Sequence, residues 1–256
     1  MALLQLRHVS KRFGGLVAVN NFSTELQAGE LCALIGPNGS GKTTIFNLIT
    51  GIYRPTEGEI WFDGHNITGR RPDQITRLGI ARTFQNIRLF SGLDVLGNVM
   101  VGQHLRLKSD PASAVLRLPH YLREERAMQR RAQELLEALN LAHLAHEKAT
   151  ALPYGQQRKL EIARALASNP KLLLLDEPAA GMNTAEAEEL MAFIQHILEH
   201  FKLTIFLIEH QMRVVMGICP RIIVIDYGEI IAEGPPATIQ NNPRVIEAYL
   251  GVGTYA

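Results

Sequence analysis

The sequence predicts an α/β fold built on a parallel β-sheet. Three short segments are apolar at consecutive positions, as strands in the middle of a parallel sheet are: Leu31 to Ile35, Lys171 to Leu175 and Thr204 to Ile208. Each segment ends in residues that can carry chemistry, namely a glycine-rich loop, two carboxylates, or a glutamate followed by a histidine. Because a doubly wound sheet binds its ligand beyond the carboxyl ends of its strands, we expect the functional site there.

The first 30 residues predict short strands that are buried on one face. Apolar and polar positions alternate, and Gly14-Gly15 supplies a turn between two strands. The apolar positions are Leu4, Leu6, Val9, Phe13, Val17, Val19, Phe22 and Leu26.

Between about residues 91 and 151 the apolar pattern changes to that of helices, and one stripe of apolar residues builds up along a helix. The stripe consists of Leu122, Met128, Ala132, Leu135, Leu136 and Leu139. We expect a helical subdomain over about residues 91–157, inserted into a core of residues 1–90 and 158–256. No internal repeat is apparent, so the chain is predicted to hold one domain over residues 1–256.

Four arginines of this region lie mostly off the apolar stripe. They are Arg123, Arg126, Arg130 and Arg131, and four glutamates interleave with them in the sequence: Glu124, Glu125, Glu134 and Glu137. This mixture is typical of an ordinary solvated helix face. We therefore expect no nucleic acid to bind there.

Composition limits the class of protein. The 256 residues include 26 Lys and Arg against 25 Asp and Glu, so no global field draws the chain to nucleic acid or to an anionic membrane. No apolar run is long enough to span a bilayer, and basic residues from Arg7 to Arg12 precede any signal-peptide core, so we expect neither insertion nor export. Cys32 and Cys219 have no CxxC spacing and are interpreted as buried thiols in a reducing compartment.

A phosphate-binding loop follows the first apolar strand. Gly36-Pro37-Asn38-Gly39-Ser40-Gly41-Lys42-Thr43 fits the pattern G-x-x-x-x-G-K-[ST], and a helical pattern follows from Thr44 to Ile49. Glycines let backbone N–H groups converge on phosphates, and the helix N-terminus adds a positive dipole end. Lys42 would bridge the β- and γ-phosphates and Thr43 would offer its hydroxyl to Mg²⁺, so residues Gly36 to Thr44 are predicted to bind a nucleotide.

Further polar side chains follow other predicted strands. Asp176-Glu177 ends the second apolar strand, where the aspartate suits a water-mediated Mg²⁺ ligand and the glutamate can polarise an attacking water. Gln85 and His210 stand at two further strand ends. Taken alone, neither of these two residues predicts a site.

The segment Leu152-Pro153-Tyr154-Gly155-Gln156-Gln157, with the helical residues after it, resembles the signature loop and helix of ATP-binding-cassette (ABC) ATPases. The P-loop, Gln85, this loop, Asp176-Glu177 and His210 also occur in the order of that family's motifs. The resemblance extends from the first strand to the last helix. It implies a P-loop NTPase core of α/β class with an N-terminal antiparallel β subdomain and an inserted α-helical subdomain.

The resemblance also implies roles for individual residues, with ATP and Mg²⁺ as cofactors. Lys42 would contact phosphate, and Mg²⁺ would be held by Thr43, Gln85 and Asp176. Glu177 would act as the base and His210 would contact the γ-phosphate. Phe13 would stack on adenine. In this family two cassettes face each other, and each ATP lies between one P-loop and the partner's signature loop. Tyr154, Gly155 and Gln156 are therefore expected to contact the ATP of a second ATPase subunit.

Finer features resemble the longer ATPase subunit of bacterial branched-chain amino-acid importers, the Liv type. These are Arg12 to Gly15 with Ala18 to Asn20, Arg82 to Phe90, Tyr154 to Arg158 with Glu161 to Arg164, Glu177 to Asn183, Ile208 to His210, and Asn242-Pro243 with Tyr249 to Gly251. The likeness implies two transmembrane permease subunits as partners, a periplasmic binding protein that delivers the substrate, and a peripheral position on the cytoplasmic face of the inner membrane.

Other functions stay open from the sequence. Urea or short amides are alternative substrates, since an ATPase subunit does not touch the transported molecule. The ATPase of a lipid or lipopolysaccharide exporter is built from nearly the same cassette. A soluble ABC protein of translation or DNA repair would commonly carry two cassettes or long insertions, and a regulator without hydrolysis would be expected to lack the base at Glu177.

Pro153 departs from the family's signature, which normally begins Leu-Ser-Gly-Gly. Proline removes the serine hydroxyl and its own backbone N–H, which should cost about 1.5 to 3 kcal/mol of phosphate binding. This loss would fall on the partner's bound ATP. We therefore expect an asymmetric heterodimer, in which the site built on this chain's own P-loop hydrolyses ATP faster.

Overall fold

The computed structural model describes residues 2–107, 110, 113 and 115–250. The chain divides into two compact units. The core unit comprises Met1–Gln85 and Lys171–Ala256, and the helical unit comprises Asn86–Pro170. The P-loop and the polar residues at strand ends all belong to the core unit, whereas the signature loop belongs to the helical unit.

The core unit contains all the described strands. Before the helical unit its elements are, in chain order, β1 (Ala2–Phe13), β2 (Leu16–Gln27), β3 (Leu31–Ile35), α1 (Lys42–Ile49), β4 (Glu57–Phe62), β5 (His65–Asn66), α2 (Pro72–Leu78) and β6 (Ile80–Arg82). After the helical unit they are β7 (Leu172–Asp176), α6 (Thr184–His200), β8 (Thr204–Ile208), α7 (Met212–Ile218), β9 (Arg221–Asp226), β10 (Glu229–Gly234), α8 (Pro236–Gln240) and α9 (Pro243–Leu250). The helical unit contributes α3 (Val95–Val101), α4 (Pro119–Ala138) and α5 (Tyr154–Leu166), with short 3₁₀ turns between them.

The N-terminal sheet pairs its strands antiparallel in the order β2-β1-β4-β5. The prediction of short strands was wrong, because β1 and β2 are 12 residues long each and meet at the Gly14-Gly15 turn. Several register shifts interrupt the pairing of β1 with β2, as bulges do. These shifts interrupt the alternation of buried and exposed side chains, so the sequence pattern resembles that of several shorter strands.

The second sheet has the order β10-β9-β3-β8-β7-β6, and its strands from β9 to β6 run parallel. The three apolar strands β3, β7 and β8 are buried at every position, which confirms the predicted parallel α/β core. Strand β7 begins at Leu172 rather than at the predicted Lys171, whose exposed amine pairs with Asp63. Because these strands are parallel, the residues that follow β3, β6, β7 and β8 come together at one edge of the sheet.

One hydrophobic core fixes α1 between the two sheets. Phe22 and Leu4 from the antiparallel sheet, Phe46 from α1 and Phe206 from β8 belong to the same buried cluster. The rings of Phe46 and Phe206 lie 5.4 Å apart between centroids. The helix behind the P-loop is therefore held in place by packing on both sides.

In the helical unit, α3 packs against both α4 and α5. Gly102, just after α3, approaches α5 closely, since a Cβ there would lie 2.2 Å from the carbonyl oxygen of Arg164. The predicted apolar stripe of α4 faces the interior: Met128, Ala132 and Leu136 are buried, and the carbonyl of Met128 accepts a hydrogen bond of 3.0 Å from the Gln103 amide.

The helical unit is longer at both ends than the predicted insertion of about residues 91–157. Its C-terminal extension contains most of α5, because the sequence had predicted that the core resumes at residue 158. The reason is packing, since α5 contacts α3 and the 3₁₀ turn before it. A pattern of apolar spacing shows that a helix forms but not which neighbour it packs against.

Within the described part of the chain, no helix is both long and apolar enough to cross a membrane. Cys32 and Cys219 are buried free thiols, in agreement with the prediction, and burial raises the pKa of both.

Candidate nucleotide site

The P-loop lies between β3 and α1 and depends on glycine at two close approaches. Gly36 has a φ of 155°, and a Cβ there would lie 2.1 Å from the carbonyl oxygen of Ile225. Gly41 has a φ of 106°, and a Cβ there would lie 2.5 Å from the carbonyl oxygen of Ala18. A side chain at either position would displace the loop from its neighbours β9 and β2. The loop therefore takes a tight path whose backbone N–H groups are available at the start of α1.

Lys42, the first residue of α1, folds back onto the P-loop. Its Nζ donates to the carbonyl oxygens of Gly36 at 2.7 Å and Pro37 at 2.8 Å. Burial lowers the pKa of this amine, while the charges of Glu177 and Asp176 oppose that effect. The ammonium group thus lies inside the loop, where it can exchange two carbonyl partners for phosphate oxygens.

Asp176, the last residue of β7, forms a buried ion pair with Arg82 at the end of β6. The Nη2 to Oδ2 distance is 2.7 Å, and both side chains are about 5% exposed, at 5% and 6%. Arg82 also donates to Oδ1 of Asn47 on α1 at 2.7 Å. The sequence interpretation did not identify Arg82 as a site residue. The signal that could have found it is the buried aspartate itself, since a carboxylate at a buried strand end needs a cation nearby.

Glu177, Gln85 and His210 form one cluster, although they are distant in the sequence. Gln85 Nε2 donates to Oε2 of Glu177 at 2.8 Å, and Nδ1 of His210 lies 3.5 Å from the same oxygen. Glu177 has a φ of 47°, a conformation that costs energy for a residue with a side chain, and its N–H donates to the carbonyl of Ile208 at 2.9 Å. The carboxylate is therefore aimed by its backbone and by two neighbours.

Glu209 is fully buried beside this cluster; the sequence shows it at a strand end before His210 but predicts no role for it. Its carboxylate accepts hydrogen bonds from the backbone N–H groups of Ala179 at 2.9 Å and His210 at 3.1 Å. Burial raises the pKa of this carboxyl group, and the backbone hydrogen bonds oppose the effect. Glu209 thus ties the loop after Glu177 to the end of β8, from which His210 projects.

A cavity of about 380 Å³ joins Glu177 and the P-loop to the predicted adenine-binding residue. It is lined by Phe13, Leu16, Val17 and Ala18 of the N-terminal hairpin, by Asn38, Gly39, Gly41, Lys42, Thr43 and Thr44 of the P-loop and α1, and by Glu177 and Tyr227. Phe13 is 41% exposed, and its ring meets that of Tyr53 edge to face at 5.1 Å. One cavity therefore offers an aromatic face at one place and phosphate-binding groups at another.

The signature loop lies at the start of α5 in the helical unit. Pro153 takes the N-cap position with φ −54° and ψ 152°, and no side chain caps the helix. Tyr154 is exposed, and a Cβ on Gly155 would meet no atom within 4 Å. Nothing in the described chain thus requires glycine at 155. Gln157, which follows Gln156, donates from Nε2 to the carbonyl of Leu152 at 2.8 Å and so closes the loop.

Comparison with known proteins decides the family. The family model described as "ABC transporter" matches residues 19–180, and the model described as "Branched-chain amino acid ATP-binding cassette transporter" matches residues 229–254. The high-affinity branched-chain amino acid transport ATP-binding protein LivG of Salmonella typhimurium is 47% identical over 249 residues, which is 97% of this chain and 98% of that protein. The chain belongs to the ABC transporter family.

Further relatives of this cassette cover it equally fully. The branched-chain amino acid transport ATP-binding protein BraF of Pseudomonas aeruginosa is 43% identical, with 97% of the cassette and 98% of BraF covered. Among solved structures, the ADP conformation of MJ1267, an ATP-binding cassette of an ABC transporter, matches with a TM-score of 0.85 and 33% identity. That match covers 98% of this cassette and 99% of MJ1267.

A dimeric cassette is also similar to this one. MJ0796, solved as a dimer in a post-hydrolysis state with ADP and phosphate, matches with a TM-score of 0.74 and 28% identity over 91% of this cassette and 98% of that chain. The chain is thus an ATP-binding cassette, and the cavity described above is its candidate nucleotide site.

Proposed function

We propose that this cassette is the ATP-hydrolysing subunit of an ABC importer for branched-chain amino acids. The observation that carries the proposal is the cluster of Gln85, Glu177 and His210, of which Glu177 lines the same cavity as the P-loop. These are the groups that hydrolysis needs next to the phosphates: a general base and two side chains that hold it. The substrate class is taken from the 47% identical LivG protein and from the match of residues 229–254.

The residues of the cavity fit ATP. Phe13 offers a ring face to adenine, and Lys42 and the N–H groups from Gly36 to Thr44 offer donors to the phosphates. The Ser40 hydroxyl is buried in the P-loop with no hydrogen-bond partner in the described chain, and a phosphate oxygen would supply one. When ATP binds, the Lys42 ammonium would leave the carbonyl oxygens of Gly36 and Pro37 and donate to phosphate oxygens instead.

The donor set near the phosphates also fits Mg²⁺, which prefers oxygen ligands. The hydroxyl of Thr43, the side-chain oxygen of Gln85 and the carboxylate of Asp176, through water, would hold the ion. When bound it would neutralise charge on the phosphate oxygens. The ion pair with Arg82 holds the Asp176 carboxylate in place at the end of β7.

In the hydrolysis step, Glu177 takes a proton from the attacking water as the general base. Gln85 fixes the Oε2 atom of Glu177, and His210 lies on the other side of the same oxygen, from which it would contact the γ-phosphate. Glu209 holds the backbone of His210.

The proposed partners are a second cassette and two transmembrane permeases, with a periplasmic binding protein that delivers the substrate. Tyr154, Gly155 and Gln156 would contact the partner cassette's ATP, which accounts for a glycine at 155 that its own chain does not require. Exposed apolar side chains of the helical unit, Phe90 and Leu93, offer a docking surface to a permease. The cassette would act on the cytoplasmic face of the inner membrane.

The experiment is the variant Glu177→Gln, assayed for ATP binding and for hydrolysis in the complex reconstituted with its permeases. We expect bound ATP to be retained and turnover to fall by about 10²- to 10⁴-fold, the contribution of a general base. Glu188→Gln, on the exposed surface of α6, is the control and should hydrolyse ATP at the wild-type rate. Undiminished turnover in Glu177→Gln would remove Glu177 as the base.

A further inference from the structure

The solvent face of α4 carries an arginine stripe, formed by Arg123, Arg126 and Arg130. Their spacings of three and four residues place them on one face of the helix, and all three side chains are exposed. The opposite face holds the buried residues Met128, Ala132 and Leu136. The stripe therefore points away from the packed side of the helical unit.

The glutamates that interleave with these arginines in the sequence do not lie among them in the structure. Glu124 and Glu125 are half-buried, at helical positions that turn them toward the packed side of α4. Glu134 and Glu137 are exposed, and Glu134 stands four residues after Arg130 on the same face, so acidic side chains meet the stripe at its C-terminal end. The expectation of an ordinary solvated face is thus revised for the first three turns, where the solvent face is basic.

This arrangement leaves Arg123 and Arg126 without a glutamate at the neighbouring positions of the solvent face. Within the described residues, Arg126 and Arg130 form no ion pair, and they stand four residues apart, where like charges repel each other. In the described part of the chain, Arg123 donates to the carbonyl of Pro119 at 3.3 Å and forms no ion pair. Arg117 and Arg131, also exposed, extend the basic surface at its two ends. A face of this kind is complementary to an extended anionic surface.

Two exposed apolar side chains precede the stripe. Val115 is 83% exposed and Leu116 is 68% exposed. They stand on a turn that is closed by the N–H of Leu118, which donates to the carbonyl of Ser113 at 3.0 Å, and that passes through Arg117 with a φ of 48°. The hydrogen bond closes the backbone just before the N-terminal end of α4, where both exposed apolar residues stand.

We propose that residues 115–131 dock on the anionic headgroups of a phospholipid bilayer. Arginine forks bind phosphate in a bidentate manner, and clusters of four to eight basic residues on an amphipathic helix are typical of anionic-lipid binding. Val115 and Leu116 enter the apolar boundary below the headgroups. An acidic protein surface would not bury these two apolar side chains in this way. This lipid contact goes beyond the proposed function, because it needs neither a permease nor ATP.

The test is cosedimentation of the purified full chain with vesicles of phosphatidylcholine alone or with added phosphatidylglycerol. We expect binding to the anionic vesicles only, and a loss of binding as the salt concentration rises. The triple variant Arg123→Gln, Arg126→Gln, Arg130→Gln should bind at least about tenfold more weakly, since each basic residue near an anionic surface contributes about fivefold.

The control is the triple variant Arg70→Gln, Arg71→Gln, Arg77→Gln, which removes the same charge from exposed positions of the core unit and should bind as the wild type does. Val115→Ser with Leu116→Ser should weaken binding to the anionic vesicles at low salt, because the apolar contact is removed while the arginines remain. ATP binding by each variant shows that it is folded.

The proposal is overturned if the wild type binds both vesicle types equally or neither, or if the control triple loses as much binding as the stripe triple. It is also overturned if the stripe triple keeps its vesicle binding but fails to assemble with the permeases, because the arginines would then serve an acidic protein surface. None of these outcomes depends on whether the cassette hydrolyses ATP.

Discussion

The amide of Gln85 donates a hydrogen bond of 2.8 Å to the carboxylate of Glu177, and so joins the ends of two neighbouring parallel strands. Glu177 holds a left-handed backbone conformation, with φ 47°. Such a conformation persists only where the surrounding structure maintains it. We infer that Gln85 positions the base for the attacking water.

Removing this hydrogen bond should slow catalysis more than it weakens nucleotide binding. In Gln85→Ala, we expect kcat for ATP to fall by about tenfold or more, since hydrogen bonds to charged groups contribute about 1.5 to 3 kcal/mol. The measurement is steady-state ATPase kinetics, with Gln195→Ala on the exposed face of α6 as the control. If kcat were unchanged and only KM rose, Gln85 would bind the nucleotide without positioning Glu177.

The buried pair of Arg82 and Asp176 should be essential for stability. Arg82→Met leaves the Asp176 carboxylate buried without its cation, so we expect the free energy of unfolding to fall by about 3 to 5 kcal/mol. Urea unfolding measures this loss. Arg213→Met removes an exposed partner of Glu188 and should cost less than about 1 kcal/mol. An equally small loss in Arg82→Met would contradict the assigned role of the pair.

Glu209 should make stability depend on pH. Burial raises the pKa of its carboxyl group in the folded state above the unfolded value of about 4.3, so its contribution is present below that pH and is lost as the pH rises through the folded pKa. The free-energy advantage of the wild type over Glu209→Gln should therefore be larger at about pH 4 than at about pH 7. Urea unfolding at both pH values checks this.

The Gln variant loses hydrogen bonds at every pH, because one amide oxygen cannot accept all the N–H groups that the carboxylate accepts. The informative quantity is thus the change with pH and not the loss itself. Glu188→Gln, which is exposed, serves as the control. An advantage that is constant or grows toward pH 7 would contradict the direction of the shift.

Pro153→Ser should have two separable effects. Serine at the N-cap of α5 can accept a hydrogen bond from the helix, which should stabilise the free subunit by about 0.5 to 2 kcal/mol. In the reconstituted complex, the restored hydroxyl should strengthen ATP binding at the partner's site by about tenfold or more. Pro153→Ala lacks the hydroxyl and should do neither. An unchanged rate and affinity with serine would rule out the proposed asymmetry.

The sequence predicted well those parts of the fold that depend on local pattern. Strands β3 and β8 begin and end at the predicted residues, since full burial on both faces leaves an uninterrupted apolar run. The order of the motifs, together with parallel strands, was enough to predict that Glu177 and His210 end at one edge of the sheet.

What the sequence could not predict depends on contacts between distant residues. The partner of Asp176 is Arg82, which is 94 residues away, and the hydrogen bonds of Glu209 run to a loop that a linear pattern does not describe. The separation of Arg126 from Glu125 likewise follows from the direction in which α4 packs. Neighbours in sequence lie about 100° apart around a helix. Basic and acidic residues that alternate along the chain can therefore lie on different faces of the helix.

ATP hydrolysis in this cassette drives import of a branched-chain amino acid. The most direct measurement is ATPase activity of the cassette reconstituted with its partner cassette and permeases in proteoliposomes, with and without the binding protein loaded with leucine. We expect the loaded binding protein to stimulate hydrolysis and leucine to accumulate inside the vesicles, both lost in Glu177→Gln. Hydrolysis that ignores the loaded binding protein, or that continues in Glu177→Gln, would contradict the claim.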